Sequence, residues 1–151
     1  MCIRWSGKLS EHFGVTNGVR QGGILSPYLF NIYIYIYMDD LTIALNKCNT
    51  GCVIGSTTIN HLMYADDLVI LSPPVSGLLE LMQVCGLYGL NRDIKYNSKK
   101  SAVLIFKSKY MKNVDVPSFK INGETIQEVD NVKYLGHFIS NTLRDDKDIL
   151  R

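Results

Sequence analysis

The stretch His61-Leu62-Met63-Tyr64-Ala65-Asp66-Asp67-Leu68-Val69-Ile70-Leu71 decides how this chain is read. Apolar residues flank an acid pair, so residues 61–71 read as strand broken at its middle. Successive side chains of a strand point to opposite faces, so a tight turn at Asp66-Asp67 is needed to bring both carboxylates to one place. Brought together, they repel: two unit charges ~4 Å apart cost roughly 4 kcal/mol at an effective dielectric near 20. A divalent cation converts that repulsion to attraction. Magnesium takes one or two carboxylates plus substrate phosphates, which suits phosphoryl transfer. The same residues also suit a solvent-exposed hairpin turn, where Asp is favoured for local hydrogen bonding. Read alone, the pattern leaves both readings open.

Tyr37-Met38-Asp39-Asp40 spells the same Tyr-x-Asp-Asp pattern upstream, but its surroundings differ. Ser26-Pro27 is a good helix start, because serine can cap free amides and proline suits the first helical position. A helix is expected over residues 27–46, with Asp39 and Asp40 as surface acids on it. Within it Ile32 to Tyr37 alternates isoleucine and tyrosine, a period-two pattern that reads as strand. The two signals conflict. Before the helix, residues 4–15 allow a hairpin, and Asn17-Gly18 and Gly22-Gly23 mark a loop. Its Arg20 and Gln21, just ahead of a helix start, are candidates for holding phosphates or bases, with a structural turn as the plainer alternative. Residues 54–59 read as strand. Beyond the acid pair, Pro73-Pro74 ends the strand, and Val75, Leu78, Leu79, Leu81, Met82 and Cys85 recur at helical spacing up to Gly86 or Gly89. Residues 93–96 and 101–106 read as strands, residues 119–126 as a hairpin turned at Asn122-Gly123, and residues 132–139 as a last strand. The polar tail from Asn141 reads as the start of a helix. Strands and helices mix without strict alternation, which makes the fold class α+β.

Composition sets the outer limits. At 151 residues, 46% hydrophobic and 20% charged, the chain has the size of one domain and the makings of a core. Its longest apolar stretch, residues 29–38 interrupted by Asn31, is shorter than the roughly 20 residues a membrane helix needs. The first residues turn polar after Trp5 and build no secretory signal, so an intracellular address is expected. Cys2, Cys48, Cys52 and Cys85 are too scattered for a disulfide framework and read as thiols. Cys48 and Cys52 with His61 lack the second ligand pair of a zinc site, and His12 and His137 have no evident catalytic partners. Charge is uneven: residues 95–112 hold Lys95, Lys99, Lys100, Lys107, Lys109 and Lys112 and no acid, while both flanks are net negative. Such a block attracts phosphates, or is a solvated face.

The order of the motifs carries more than any one of them. Gly18-Val19-Arg20-Gln21-Gly22-Gly23-Ile24-Leu25-Ser26-Pro27-Tyr28-Leu29-Phe30-Asn31 is followed by Tyr64-Ala65-Asp66-Asp67, then Asn97-Ser98-Lys99-Lys100-Ser101, then Tyr134-Leu135-Gly136. In this order the sequence resembles the reverse transcriptases of non-LTR, LINE-like retrotransposons over residues 3–139, the four segments standing as that family's motifs B, C, D and E. The resemblance implies a partial right-hand polymerase palm, an antiparallel sheet whose acid hairpin packs on two helices. It implies Asp66 and Asp67 as ligands of a two-metal magnesium site. Lys100 would act near the leaving pyrophosphate, Arg20, Gln21 and Gly22 would meet template and nucleotide, and Tyr134, Leu135 and Gly136 would form the primer grip. Palm motifs would fill residues 1–112, the primer-grip hairpin region 113–140 and the start of a thumb 141–151. RNA template, DNA primer and deoxynucleoside triphosphate are the implied partners.

The chain departs from the family pattern in three places. The family's motif A aspartate has no counterpart in the 17 residues before Gly18, where Glu11 is the one acid. The run Phe-Asn-Ile-Tyr-Met-Asp-Asp-Leu is interrupted by an Ile-Tyr repeat of four extra residues, which turn a helix by about 400° and so nearly restore its buried face. Little remains after Ile139 to make a thumb. The isolated chain is therefore expected to be inactive, with an uncovered sheet edge that favours association. A non-catalytic nucleic-acid-binding remnant using the lysine block is the alternative.

Overall fold

A computed structural model gives the fold and describes residues 2–14, 22–107, 116–144 and 149. The chain divides into two compact units, Met1–Asp40 and Leu41–Arg151.

The first unit opens with the hairpin expected within residues 4–15: β1 (Arg4–Trp5) pairs antiparallel with β2 (Lys8–Leu9). Helix α1 (Ser26–Asn46) begins at the Ser-Pro step and runs on into the second unit. The Ile-Tyr tract is therefore helical. A strand needs a neighbour to fill its backbone bonds, whereas a helix fills them from within. The less exposed positions, Phe30, Ile34, Tyr37, Met38, Leu41 and Leu45, recur every three or four residues, and Tyr33 and Tyr37 stack one turn apart with ring centroids 5.2 Å from each other.

In the second unit, β3 (Cys52–Ile54) and β4 (Thr57–Ile59) form a hairpin. The single strand expected over residues 54–59 is thus corrected: Gly55, at φ 62°, turns the chain. Next come β5 (His61–Tyr64) and β6 (Asp67–Ile70), antiparallel as expected, with the bend at Ala65-Asp66, one residue before the Asp66-Asp67 turn expected, so that Asp67 already belongs to β6. Helix α2 (Val75–Arg92) passes through Gly86 and Gly89, where an end was expected, and stops at Asp93 in the left-handed region, φ 54°. Residues 94–97 form no strand, which corrects the reading of 93–96. They close the helix instead, the Ile94 amide donating to the Gly89 carbonyl at 2.8 Å.

Strand β7 (Ala102–Leu104) covers part of residues 101–106, and β8 (Lys120–Ile121) and β9 (Glu124–Thr125) make the Asn-Gly hairpin. β10 (Gln127–Val129) pairs with β7 in parallel. β11 (Asn131–Tyr134) and β12 (His137–Ser140) replace the single strand expected over 132–139, because Leu135 and Gly136, at φ 47° and 91°, bend it into a hairpin. One antiparallel sheet was expected; the described strands instead form six two-stranded pairs, five antiparallel and one parallel. The broad class, α+β with two helices, stands. Of the tail expected to begin a helix, residues 145–148, 150 and 151 lie outside the described residues.

The core of the second unit is small. Leu41, Leu45 and Leu81 are fully buried and Cys85 nearly so. Val103, Phe119 and Ile126 form a buried cluster against which Val75, Leu78 and Met82 of α2 pack. Full burial of each such leucine is worth roughly 1.5–3 kcal/mol, so the helix faces and β7 together carry much of the fold.

Candidate functional site

The β5–β6 hairpin turns at Ala65 and Asp66, with Tyr64 facing Asp67 across the ladder. Ala65 holds φ 50°, a left-handed conformation that alanine adopts at a cost of about 1 kcal/mol. Register settles the rest. Alternation puts Leu62, Tyr64, Asp67 and Val69 on one face and His61, Met63, Leu68 and Ile70 on the other. The second set is half-buried throughout, and β6 packs against α2. On the opposite face Leu62, Tyr64 and Asp67 are exposed, and Asp66 is exposed at the bend beside them. Neither carboxylate has a hydrogen-bond or ion-pair partner among the described residues.

The hairpin is anchored at its base. Asn60, 4% exposed, donates its Nδ2 to the Leu45 carbonyl of α1 at 2.6 Å. Its Oδ1 lies 2.7 Å from His61 Nδ1, and its own carbonyl accepts the Leu71 amide at 2.8 Å. Because Nδ2 is a donor, Oδ1 is the acceptor and His61 Nδ1 carries a proton. Burial holds the His61 imidazole below its ordinary value of 6.5. Next to this anchor, the hydroxyls of Thr50 and Ser72 lie 3.1 Å apart and close over Gly77, where a Cβ would collide with Thr50 Oγ1.

Lys100 sits in an exposed turn between α2 and β7. Its amide donates to the Asn97 carbonyl at 3.1 Å and to Asn97 Oδ1 at 3.2 Å. Tyr96, just before, donates its hydroxyl to the Cys85 carbonyl at 3.1 Å, and burial first, then the neighbouring Cys85 and Tyr88, push its phenol upward. Cys85 is pushed up to about 11, chiefly by burial and then by Cys48. Both groups stay neutral at ordinary pH and act as packing. Tyr134 ends β11, and Leu135 and Gly136 form the tip of its hairpin; β11 lies beside β7.

Of the sequence-predicted site residues, Asp66 and Asp67 are brought together at one tip. Lys100 and Tyr134, Leu135 and Gly136 lie on elements joined through β7. Gly22, exposed at φ 78°, belongs to the first unit, and Arg20 and Gln21 lie outside the described residues. Asp39 and Asp40 are exposed on α1, as expected of surface acids. Sequence reasoning missed Asn60, Tyr96, Asn122 and Glu124, which hold these segments in place. Asn122 carried a signal, but only for the bend of the chain and not for its side-chain amide.

Two unpartnered carboxylates are hard oxygen donors of the kind magnesium takes. Among the described residues no group of three or more His, Cys, Asp or Glu converges on a metal position, so the donor set fits as one part of a carboxylate site. No helix among the described residues is long and apolar enough to cross a membrane.

The match to the reverse transcriptase (RNA-dependent DNA polymerase) family covers residues 1–139, and the chain belongs to that family. The relatives it resembles are retrotransposon proteins. It is 35% identical over 146 residues to the Retrovirus-related Pol polyprotein from type-2 retrotransposable element R2DM of Drosophila melanogaster, a match covering 87% of the chain and 12% of the relative. It is 30% identical over 142 residues to the Pol polyprotein from type-1 retrotransposable element R2 of Popillia japonica, covering 90% and 23%. A third relative, from Nasonia vitripennis, is 46% identical over 61 residues, 40% of the chain and 6% of that protein. The chain thus spans less than a quarter of the length of these relatives. The family is that of RNA-dependent DNA polymerases.

Proposed function

We propose that this chain is the portion of a LINE-like retrotransposon polymerase palm that carries motifs B to E. The observation that carries the reading is the acid hairpin: Asp66 and Asp67 stand exposed and unpartnered at one tip. In this role the two carboxylates hold magnesium, which supplies charge neutralisation at the nucleotide phosphates and at the attacking primer 3′-hydroxyl. Lys100 neutralises or protonates the leaving pyrophosphate. Tyr134, Leu135 and Gly136 steady the primer end, and Arg20, Gln21 and Gly22 meet the template base and the incoming deoxynucleoside triphosphate. Palm motifs fill residues 1–112, the primer-grip region 113–140, and 141–151 begin a thumb.

The family draws one more aspartate from motif A, so primer extension belongs to this chain joined, in cis or as a separate polypeptide, with a segment carrying motif A and the fingers. The test is extension of a DNA primer on an RNA template by the 151-residue chain with and without that segment. Extension is expected only with it, and Asp66→Ala or Asp67→Ala is expected to lower the rate about 10²–10⁴-fold, the loss of several kcal/mol of charge stabilisation. Extension by the chain alone, or full activity in either variant, overturns the reading.

A second reading, nucleic-acid binding without catalysis, draws on Lys95, Lys99, Lys100 and Lys107, all exposed; Lys107 pairs with Glu128 at 3.5 Å. Salt-sensitive binding that ignores both aspartate substitutions, with no extension under any complementation, selects it.

A further inference from the structure

We infer that the Asn122-Gly123 hairpin is the positioning element for the Lys100 loop, holding it for a polyphosphate through the side chains of Asn122 and Glu124; this deepens, and rests on, the polymerase reading above. The loop makes its own shape. Besides the two bonds to the Lys100 amide, the Asn97 carbonyl accepts the Ser101 amide and the Ser101 hydroxyl, each at 2.9 Å. Those bonds fold residues 97–101 into a turn but do not fix where the turn stands.

Placement comes from elsewhere. Asn122 Nδ2 donates to the Tyr96 carbonyl at 2.9 Å, and the Ser98 hydroxyl donates to the Glu124 carboxylate, two bonds that each bridge 26 residues of sequence. Tyr96 is also fastened to α2, its hydroxyl on the Cys85 carbonyl and its ring against Gly89, where a Cβ would lie 2.9 Å from it. The loop is therefore pinned between α2 and the β8–β9 hairpin while its lysine side chains remain in solvent.

Pinning an exposed turn gains little burial and sacrifices chain freedom, so its worth lies in what it presents. A lysine serves a developing phosphate charge only when it is already in place. The Lys100 side chain has no ion-pair or hydrogen-bond partner among the described residues, and the Glu124 carboxylate accepts from the Ser98 hydroxyl. The chemistry it is left to meet is a triphosphate tail or the pyrophosphate leaving it.

Two measurements test this. The first is amide hydrogen exchange on the 151-residue chain. Asn122→Gly keeps the left-handed backbone at φ 51° and removes only the amide. It and Glu124→Ala are expected to speed exchange at Lys100 and Ser101 at least about tenfold with α2 unchanged. Ser98→Ala breaks the same bond from the loop side if a hairpin variant fails to fold, and Glu124→Gln, which still accepts, keeps exchange slow. Unchanged exchange in Asn122→Gly, Glu124→Ala and Ser98→Ala overturns the inference.

The second is primer extension by the chain joined with the motif A and fingers segment. Glu124→Ala is expected to lower kcat roughly tenfold with KM for the nucleotide within about twofold, Glu124→Gln to restore it, and the Lys100→Ala/Glu124→Ala double variant to be no slower than Lys100→Ala. An additive double variant overturns the inference. A silent Lys100→Ala, or no extension by the unsubstituted assembly, overturns the reading of Lys100 or of the polymerase, while the exchange result decides separately whether the hairpin holds the loop.

Discussion

Asn60 uses both ends of its amide, donating to the last turn of α1 and accepting from His61, in a position only 4% exposed. Replacing it with alanine takes one of two bonds from the Leu45 carbonyl, which keeps the Cys48 amide, and leaves His61 Nδ1 without its acceptor, a loss of about 1–3 kcal/mol. A urea midpoint lowered by that loss divided by the slope, with the slope itself unchanged, is the expected result for Asn60→Ala. Its neighbour sets a pH dependence. Burial keeps the folded His61 value below the unfolded 6.5, so the unfolded chain binds the proton first as pH falls. Stability is complete above about pH 6.5 and declines as pH drops through that value toward the folded one. Unfolding followed at pH 7.5 and 5.5 is expected to show the loss, and His61→Gln to reduce it.

At the level of elements, α2 contains a matched pair of glycines with opposite expected effects. Nothing lies within 4 Å of a Cβ built on Gly86, so Gly86→Ala is expected to stabilise by roughly 0.5–1 kcal/mol through helix propensity. A Cβ on Gly89 meets the Ile94 carbonyl at 2.8 Å and the Tyr96 ring at 2.9 Å. Gly89→Ala is expected to destabilise by about 1–3 kcal/mol, because backbone has to move; thermal unfolding of the two variants checks the sign. The same helix shows what was legible in the sequence. Its apolar spacing announces it, but the two glycines read as an end, since nothing in one dimension reveals that residues 94–96 fold back over Gly89. The acid hairpin is legible because Asp66-Asp67 breaks an apolar run that has to pair on both sides. Gly55-Ser56 and Leu135-Gly136 are equally real turns. They are hidden in the sequence because the runs around them are short and β-branched or aromatic residues, which favour strands, stand on both sides.

For the molecule as a whole, the site is legible as a set of segments and not as an arrangement. The four motif segments can be read in order, yet Tyr96 and Glu124, which fasten the Lys100 loop to α2 and to the β8–β9 hairpin, look in sequence like any surface tyrosine and glutamate. Among the described residues the largest fully buried side chains are Leu41, Leu45 and Leu81, each 0% exposed. Leu81→Ala is expected to cost about 2–5 kcal/mol, enough to unfold a chain of marginal stability, and loss of the cooperative thermal transition is the readout. Tyr28, Leu29, Ile32, Tyr33, Tyr35 and Ile36 are exposed along α1. Self-association that rises with concentration is accordingly expected by light scattering, and Ile36→Lys is expected to weaken it.

The parallel pairing of β7 with β10 carries a consequence for the order in which the protein matures. The acid hairpin's own ladder, its Leu45 anchor and α2 all precede residue 93, so the hairpin can pair early, while α2 meets Val103, Phe119 and Ile126 only later. Residues 96–101 have to wait for partners some 26 positions downstream, a loop closure that is entropically slower. A nascent chain halted between the two would display its aspartates correctly while its lysine still wandered.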